Sequence, residues 1–241
     1  MKEEWKQLSL KLSLAKPLQM IIKTILDAFV DSTYKFVDQP TFHEGNFAPV
    51  DEIKELTMVE ISEGEVPQDF PEGVYIRNGS NYLYPTMTEA ISIFGKTAYT
   101  SYEGDGMLHA TYFNKDIEGK WIISYKNKYV ESKTFLIDKA NNKYGCIPSA
   151  DGQPFAILVA LILNLMRFGK AARDICNTNV FEHGGKIYAI TENHSPYEID
   201  PSTLNTLNEW SVNGAWDRPF TSHPKKVPST GELVMMGMSY H

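Results

Sequence analysis

The chain has 241 residues, enough to bury a real core as one large domain or two small ones, with 42% hydrophobic and 22% charged residues. Its formal net charge of −7 speaks against general nucleic-acid binding, because phosphate contacts need a basic surface. The two cysteines, Cys146 and Cys176, form neither a CxxC pair nor a disulfide framework, which fits a reducing compartment.

The N-terminal "MKEEWKQLSL" has mixed charge and no apolar block before a small-residue cleavage site, so it does not read as a signal peptide. Residues 17–37 read as a helix opened by Pro17. Leu18, Ile21, Ile22, Ile25, Phe29 and Val30 share one face of it. Pro40 and Gly45 break the pattern.

From about residue 72 the texture is β, and the 13 tyrosines and 12 phenylalanines lean the same way. "GVYIRNG" (73–79) reads as a strand ending in a turn. Residues 97–113 read as a hairpin turning at Glu103-Gly104-Asp105-Gly106, and 118–130 as a turn and a third strand. Residues 154–174, "PFAILVALILNLMRFGKAARD", interrupt with a second helix, apolar first and then basic at Arg167, Lys170 and Arg173. The apolar run "FAILVALIL" has nine residues, too few to cross about 30 Å of hydrocarbon. A hairpin at 179–192 turns at Gly184-Gly185. Residues 195–212 give a strand, a turn at Asp200-Pro201 and another strand, and a last strand begins near 230. Repeated antiparallel meanders of this kind suggest propeller blades or a sandwich.

The common catalytic signatures are missing: no P-loop, no GxSxG elbow, and no second histidine after His43 in "HEGNF". Glu103 and Asp105 read as turn residues rather than a carboxylate pair. Of the six histidines, His43, His109, His183, His194 and His241 read as structural or exposed. His223 differs: Pro224 bars a helix and pushes His223 toward extended geometry at a strand end, a setting that suits a metal site or a catalytic base.

Five segments follow in a fixed order: "NFAPVDE" (46–52), "GEVPQDFPEGVYIRNGSN" (64–81), "YEGDGMLHA" (102–110), "NTNVFEHGGKIYAITENHSPYEIDPSTLNTL" (177–207) and "PFTSHPKKVPSTGEL" (219–233). Together they resemble the N-terminal part of the carotenoid cleavage dioxygenases, nearest the plant members, over roughly residues 43–241. Ser80 and Tyr82 stand where the family usually has prolines, and Lys226-Val227 where it has Val-Asp.

The resemblance implies an all-β fold, a seven-bladed β-propeller of which this chain supplies the N-terminal blades, with added amphipathic helices. Residues 1–42 would be a helical lead-in and 43–241 the propeller part. It implies Fe2+ held by four histidines, with His223 matching the first ligand. The other three, and the glutamates that orient ligand rings, would lie beyond the chain. The reaction implied is cleavage of a conjugated double bond of a carotenoid or apocarotenoid by O2, at the 9,10 (9′,10′) bond by analogy with plant members. In the family, apolar helices also dip into a membrane surface. Residues 17–37 and 154–174 match that role, with Leu158, Leu161, Leu163 and Leu165 as anchors and Arg167, Lys170 and Arg173 facing anionic lipid. The expected location is cytoplasmic and peripheral to membranes, with the plastid as alternative. The competing reading is a non-catalytic, membrane-peripheral apocarotenoid-binding or interaction protein.

Overall fold

The computed structural model of the chain describes residues 16–40, 44–192, 194–216 and 218–237. Helix α1 (Lys16–Thr33) leads into β1 (Lys35–Val37), then β2 (Thr57–Met58), β3 (Gly73–Asn81), β4 (Glu89–Ser92), β5 (Gly95–Ala98), β6 (Asp105–Lys115) and β7 (Trp121–Tyr129). Helix α2 (Lys133–Asn141), β8 (Asp151–Gly152) and α3 (Pro154–Phe168) follow. The C-terminal third carries β9 (Asn179–His183), β10 (Lys186–Ile190), β11 (Tyr197–Ile199), β12 (Thr206–Glu209), β13 (Lys225–Lys226) and β14 (Leu233–Val234).

Every strand pairing is antiparallel. The first sheet runs β2-β7-β6-β3, the second β1-β4-β5-β8 and the third β12-β11-β10-β9, while β13 and β14 make a short pair. The third sheet is a sequential meander, whereas the first two interleave non-consecutive strands, and no sheet closes on itself among the described residues.

Local chemistry explains the elements. In α1, Lys23 pairs with Asp27 one turn on, and Ser32 Oγ donates to the Phe29 carbonyl at the last turn. The helix stops at Thr33, earlier than the apolar periodicity suggests, because Lys35-Phe36-Val37 pairs with β4. Ser132 caps α2 by accepting from the Phe135 amide, and Asn142 closes it in the left-handed region at φ 52°. Pro154 opens α3 and Gly169 ends it at φ 70°, its amide donating to the Leu165 carbonyl. Residues 170–174 therefore lie outside this helix, not within it.

Two expected turns do not form. β3 runs unbroken through Asn78-Gly79-Ser80 to Asn81, paired with β6 along its whole length. Residues 97–113 are no hairpin: β5 pairs with β4 and β8, whereas β6 pairs with β3 and β7. The segment between them crosses from one sheet to another. The hairpins at 184–185 and 200–201 form as the sequence suggests.

The main core lies between the first and third sheets, where Leu108 and Ala110 of β6 meet Ala189, Tyr197, Ile199 and Leu204. A second core holds the helices to the second sheet: Val30 and Tyr34 of the α1 end pack with Ala90, Ile147, Ala160 and Leu163. Arg167 of α3 donates from Nε to Asp27 of α1 at 2.8 Å.

Candidate functional site

The stretch before His223 alternates inward and outward, as an extended chain must. Phe220 and Ser222 are buried and His223 is exposed. Phe220 donates its amide to the His194 carbonyl at 3.2 Å and rests against Trp210 and Trp216. Ser222 is held from two sides. Its carbonyl accepts from Asn179 Nδ2 at 2.8 Å, and its hydroxyl donates to Glu192 Oε1. Two residues on, Lys225 begins β13 and pairs with Val234. His223 is thus an exposed imidazole on an anchored backbone, with proline closing its conformational freedom behind it.

The motifs around it hold sheets together. Asp105, the first residue of β6, faces Arg173 across a buried ion pair, and Asp138 accepts from Arg173 Nε at 3.1 Å. Asp105 also accepts from the Tyr144 hydroxyl at 2.8 Å and the Leu83 amide at 3.2 Å. The Arg173 guanidinium lies 3.8 Å from the Tyr144 ring centroid. Burial opposes the Arg173 charge, but Asp105, Tyr144, Tyr99 and Asp138 more than offset it and hold the guanidinium charged. Burial pushes the Asp138 carboxyl up, with Arg173 pulling against it. Asp105 is therefore not a turn residue. Glu103 is one: its Oε2 accepts from the Thr100 amide at 2.9 Å.

Two asparagines complete the junction. Asn78 Nδ2 donates to the Cys176 and Asn179 carbonyls at 2.9 and 3.2 Å, and Asn177 Nδ2 donates to the Tyr102 and Gly104 carbonyls at 2.6 and 2.7 Å. Gly106 donates its amide to the Ile175 carbonyl at 2.6 Å, and a Cβ there would stand 2.1 Å from the Cys176 carbonyl oxygen. That approach is open only to glycine.

The other histidines are spread out. His109 on β6 makes a 2.6 Å hydrogen bond between Nδ1 and the Tyr125 hydroxyl, and burial, then Arg77, lowers its pKa. His183 ends β9 with its ring 5.9 Å from Trp210. His194 Nδ1 lies 3.6 Å from Asp174 Oδ1. His43 and His241 lie outside the described residues. Among the described residues no three His, Cys, Asp or Glu side chains gather as a metal would require.

Both cysteine thiols are free and buried. Burial raises Cys146 to about 11 and carries Cys176 well above its usual value, which favours the protonated thiols. A cleft of about 270 Å³ opens between the sheets. Its walls include Tyr99, Glu103, Ile147, Thr191, Glu192 and His194. Glu192 joins the cleft to the His223 stretch through Ser222.

The family model for the retinal pigment epithelial membrane protein, RPE65, matches residues 47–241. The chain belongs to the RPE65/carotenoid oxygenase family. Over 239 residues it is 25% identical to the 9-cis-epoxycarotenoid dioxygenase NCED1 of Oryza sativa subsp. japonica, covering 93% of this chain and 35% of that protein. The carotenoid dioxygenase carX of Gibberella fujikuroi is 30% identical over 233 residues, 79% of this chain and 32% of that protein. The crystal structure of Pseudomonas brassicacearum lignostilbene dioxygenase superposes with a TM-score of 0.60 at 23% identity, over 83% of this chain and 37% of that one. The chain thus spans about a third of the length of these oxygenases, and its fold is theirs over that part.

The expected lipid-facing residues need two corrections. Leu163 is buried in the core, with Ala156, Ala160 and Asn164 on the same side of α3, so it is no lipid anchor. Leu158 and Leu165 are exposed, with Phe155, Ile162 and Met166 beside them. Two of the three basic residues do not face outward either: Arg167 is bound to Asp27 and the Gly145 carbonyl, and Arg173 lies inside the ion network. Among the described residues no helix is long and apolar enough to cross a membrane. Sequence reasoning also missed Glu192, which the sequence marks only as the last residue of the 179–192 hairpin segment.

Proposed function

We propose that this chain is the His223-bearing part of an Fe(II)-dependent dioxygenase that cleaves a conjugated double bond of a carotenoid or apocarotenoid with O2. The observation that carries the reading is the fixing of an exposed His223 by a fully buried Ser222, within a chain of this family. A metal ligand must hold its direction, and partners one bond away supply that rigidity. The remaining ligands belong to the length of the relatives that this chain does not span. Residues 43–241 are then blades of a seven-bladed propeller, with 1–42 as a helical lead-in. The iron's contribution is to bind and activate oxygen; the contribution of these residues is to hold one imidazole still and to shape the cleft beside it.

The chain joined to the C-terminal blades of a close relative tests the ligand. His223→Ala removes iron and product, while His183→Ala, placed beside Trp210, keeps both. Full iron and near-normal turnover in His223→Ala refutes the assignment, as does equal failure of His183→Ala at matched melting temperature.

The exposed rows on α1 (Leu18, Ile21, Ile25) and α3 (Phe155, Leu158, Ile162) favour attachment to a membrane surface. This is shared by the second reading, a non-catalytic apocarotenoid-binding protein in the cytoplasm or the plastid. The pairing of Arg167 and Arg173 makes the attachment chiefly apolar, so salt affects it little. Leu158→Ser with Ile162→Ser lowers co-sedimentation with liposomes while melting stays unchanged. Unchanged sedimentation removes the membrane role.

A further inference from the structure

The edges of the sheets differ in how their backbone groups are used. Along β12, Thr206 Oγ1 accepts from the Glu131 amide and Glu209 pairs with Lys133, while Asn205 just before it accepts from Lys128 Nζ. Beside β3, Asn78 Nδ2 donates to the Cys176 and Asn179 carbonyls. β2 has no such cover. It is the outer strand of the first sheet, at the opposite edge from β3, and among the described residues no strand pairs with its other side.

The register says which groups are left open. The Val59 amide donates to the Ile123 carbonyl at 3.0 Å, Thr57 lies opposite Tyr125, and Met58 lies opposite Ser124. In an antiparallel pair, residues that exchange hydrogen bonds alternate with residues that do not. Thr57 and Val59 therefore turn their backbone groups to β7, and Met58 and Glu60 turn theirs outward.

The side chains suit the same use. Residues 53–65 are exposed throughout. Leu56 and Met58 are 55% and 62% exposed on one face of the strand, and Val59 and Ile61 are exposed on the other. Single exposed apolar residues are ordinary, but four within 56–61 beside an open edge form a surface. Proline and lysine commonly guard such an edge, and residues 55–63 contain neither. The charge there is acidic instead: Glu55, Glu60, Glu63 and Glu65 stand against Lys54 alone within 53–65. None of these four glutamates joins an ion pair among the described residues.

That sign selects the occupant. A second copy set edge to edge brings one acidic strip against another, which like charges oppose. A basic strand meets the glutamates with opposite charge, and its apolar residues cover Leu56, Met58, Val59 and Ile61 while its backbone takes up the groups of Met58 and Glu60. We propose that the β2 edge docks an extended, lysine- or arginine-rich segment of a partner protein, which adds to the first sheet as a further strand. This is independent of the dioxygenase reading, because the link to the His223 stretch leaves the sheet from its other edge, through Asn78 and Asn179.

The 241-residue chain is titrated by calorimetry with two peptides about eight residues long, one alternating lysine with valine and one alternating glutamate with valine. The lysine peptide binds about tenfold more tightly, and its advantage falls as salt rises. On binding, amide exchange slows at Met58 and Glu60, whereas Thr57 and Val59, already bonded to β7, change little. Met58→Pro removes an outward donor, leaves the bonds to β7 in place and lowers the affinity about tenfold. A proline also restricts the strand, so Glu55→Lys with Glu60→Lys gives a second reading: the preference reverses toward the glutamate peptide, which unfolding does not produce. Equal affinity for the two peptides, no binding of either, protection at sites other than Met58 and Glu60, or full affinity in Met58→Pro overturns the proposal. So does self-association that protects the Met58 amide, which gives the edge to a second copy. Loss of binding when the chain is joined to the C-terminal blades of a close relative overturns it as well, and gives the edge to those blades.

Discussion

The junction between the first and third sheets and the stretch that carries His223 hold their residues by opposite means. At the junction, charge and amide side chains are sunk out of water: Arg173 with Asp105 and Asp138, Asn78 and Asn177 on facing carbonyls, and Gly106 against the 175–176 backbone. Around His223 the strands are two residues long and only Phe220 and Ser222 are buried. The difference separates two duties of family motifs. "GDG" and "RNG" preserve the angle between sheets, whereas "SHP" presents one side chain outward. A glycine or aspartate in such a motif is evidence of packing, not of chemistry.

Substitutions sharpen that contrast. Arg173→Ala leaves two buried carboxylates without their cation and lowers stability by about 3–5 kcal/mol, a large part of the 5–15 kcal/mol typical of a domain. Denaturant unfolding measures it, and a loss below about 1 kcal/mol would mean the network is ornamental. Gly106→Ala drives a methyl into the Cys176 carbonyl and costs about 3 kcal/mol, read the same way. Ser222→Ala loses about 1 kcal/mol, and amide exchange quickens at 220–223 while the first sheet stays protected. His223→Ala changes stability by no more than about 0.5 kcal/mol, because the ring is exposed. A melting shift as large as that of Gly106→Ala would place His223 in the packing instead.

Acid gives the smallest and most local effect. Hydrogen bonds from Ser202, then Thr203, hold Asp200 at about 2. Its folded pKa lies below its unfolded value, so the support it gives the β11–β12 turn is full above about pH 4 and fades as pH falls toward 2. Amide exchange at 202–203 should accelerate over that window in the parent and show no such step in Asp200→Asn.

Much of the fold was readable from short-range pattern. The Gly184-Gly185 and Asp200-Pro201 turns, the β6–β7 pair and the starts of both long helices follow from turn residues, alternation and Pro17 or Pro154. What escaped depended on distant partners. Glu103-Gly104-Asp105-Gly106 has hairpin composition, but Asp105 answers to Arg173, 68 residues on, and the chain crosses between sheets there. The basic residues at and beyond the end of α3 looked like a lipid-facing charge cluster until Asp27, Asp105 and Asp138 claimed two of the arginines. The site divided in the same way. His223 drew attention in the sequence because its neighbours constrain it locally. Glu192 and the His194–Asp174 pair did not, because their contacts are with residues distant in sequence.

The aromatic row on the third sheet carries a consequence for observation. Phe181, Tyr188, Trp210 and Phe220 follow one another, with Trp210 and Tyr188 stacked at 4.5 Å and 26°. Trp121 sits far away in sequence, on the first sheet, edge-on to Phe70 and Phe113. Two chromophores at such short range couple their transitions and absorb left and right circularly polarised light unequally, so the third sheet carries its own near-ultraviolet signature. Replacing Trp121 with phenylalanine leaves that signal in place. The loosening of the sheet beneath His223 can then be followed by light alone, separately from the melting of the sheet it leans on.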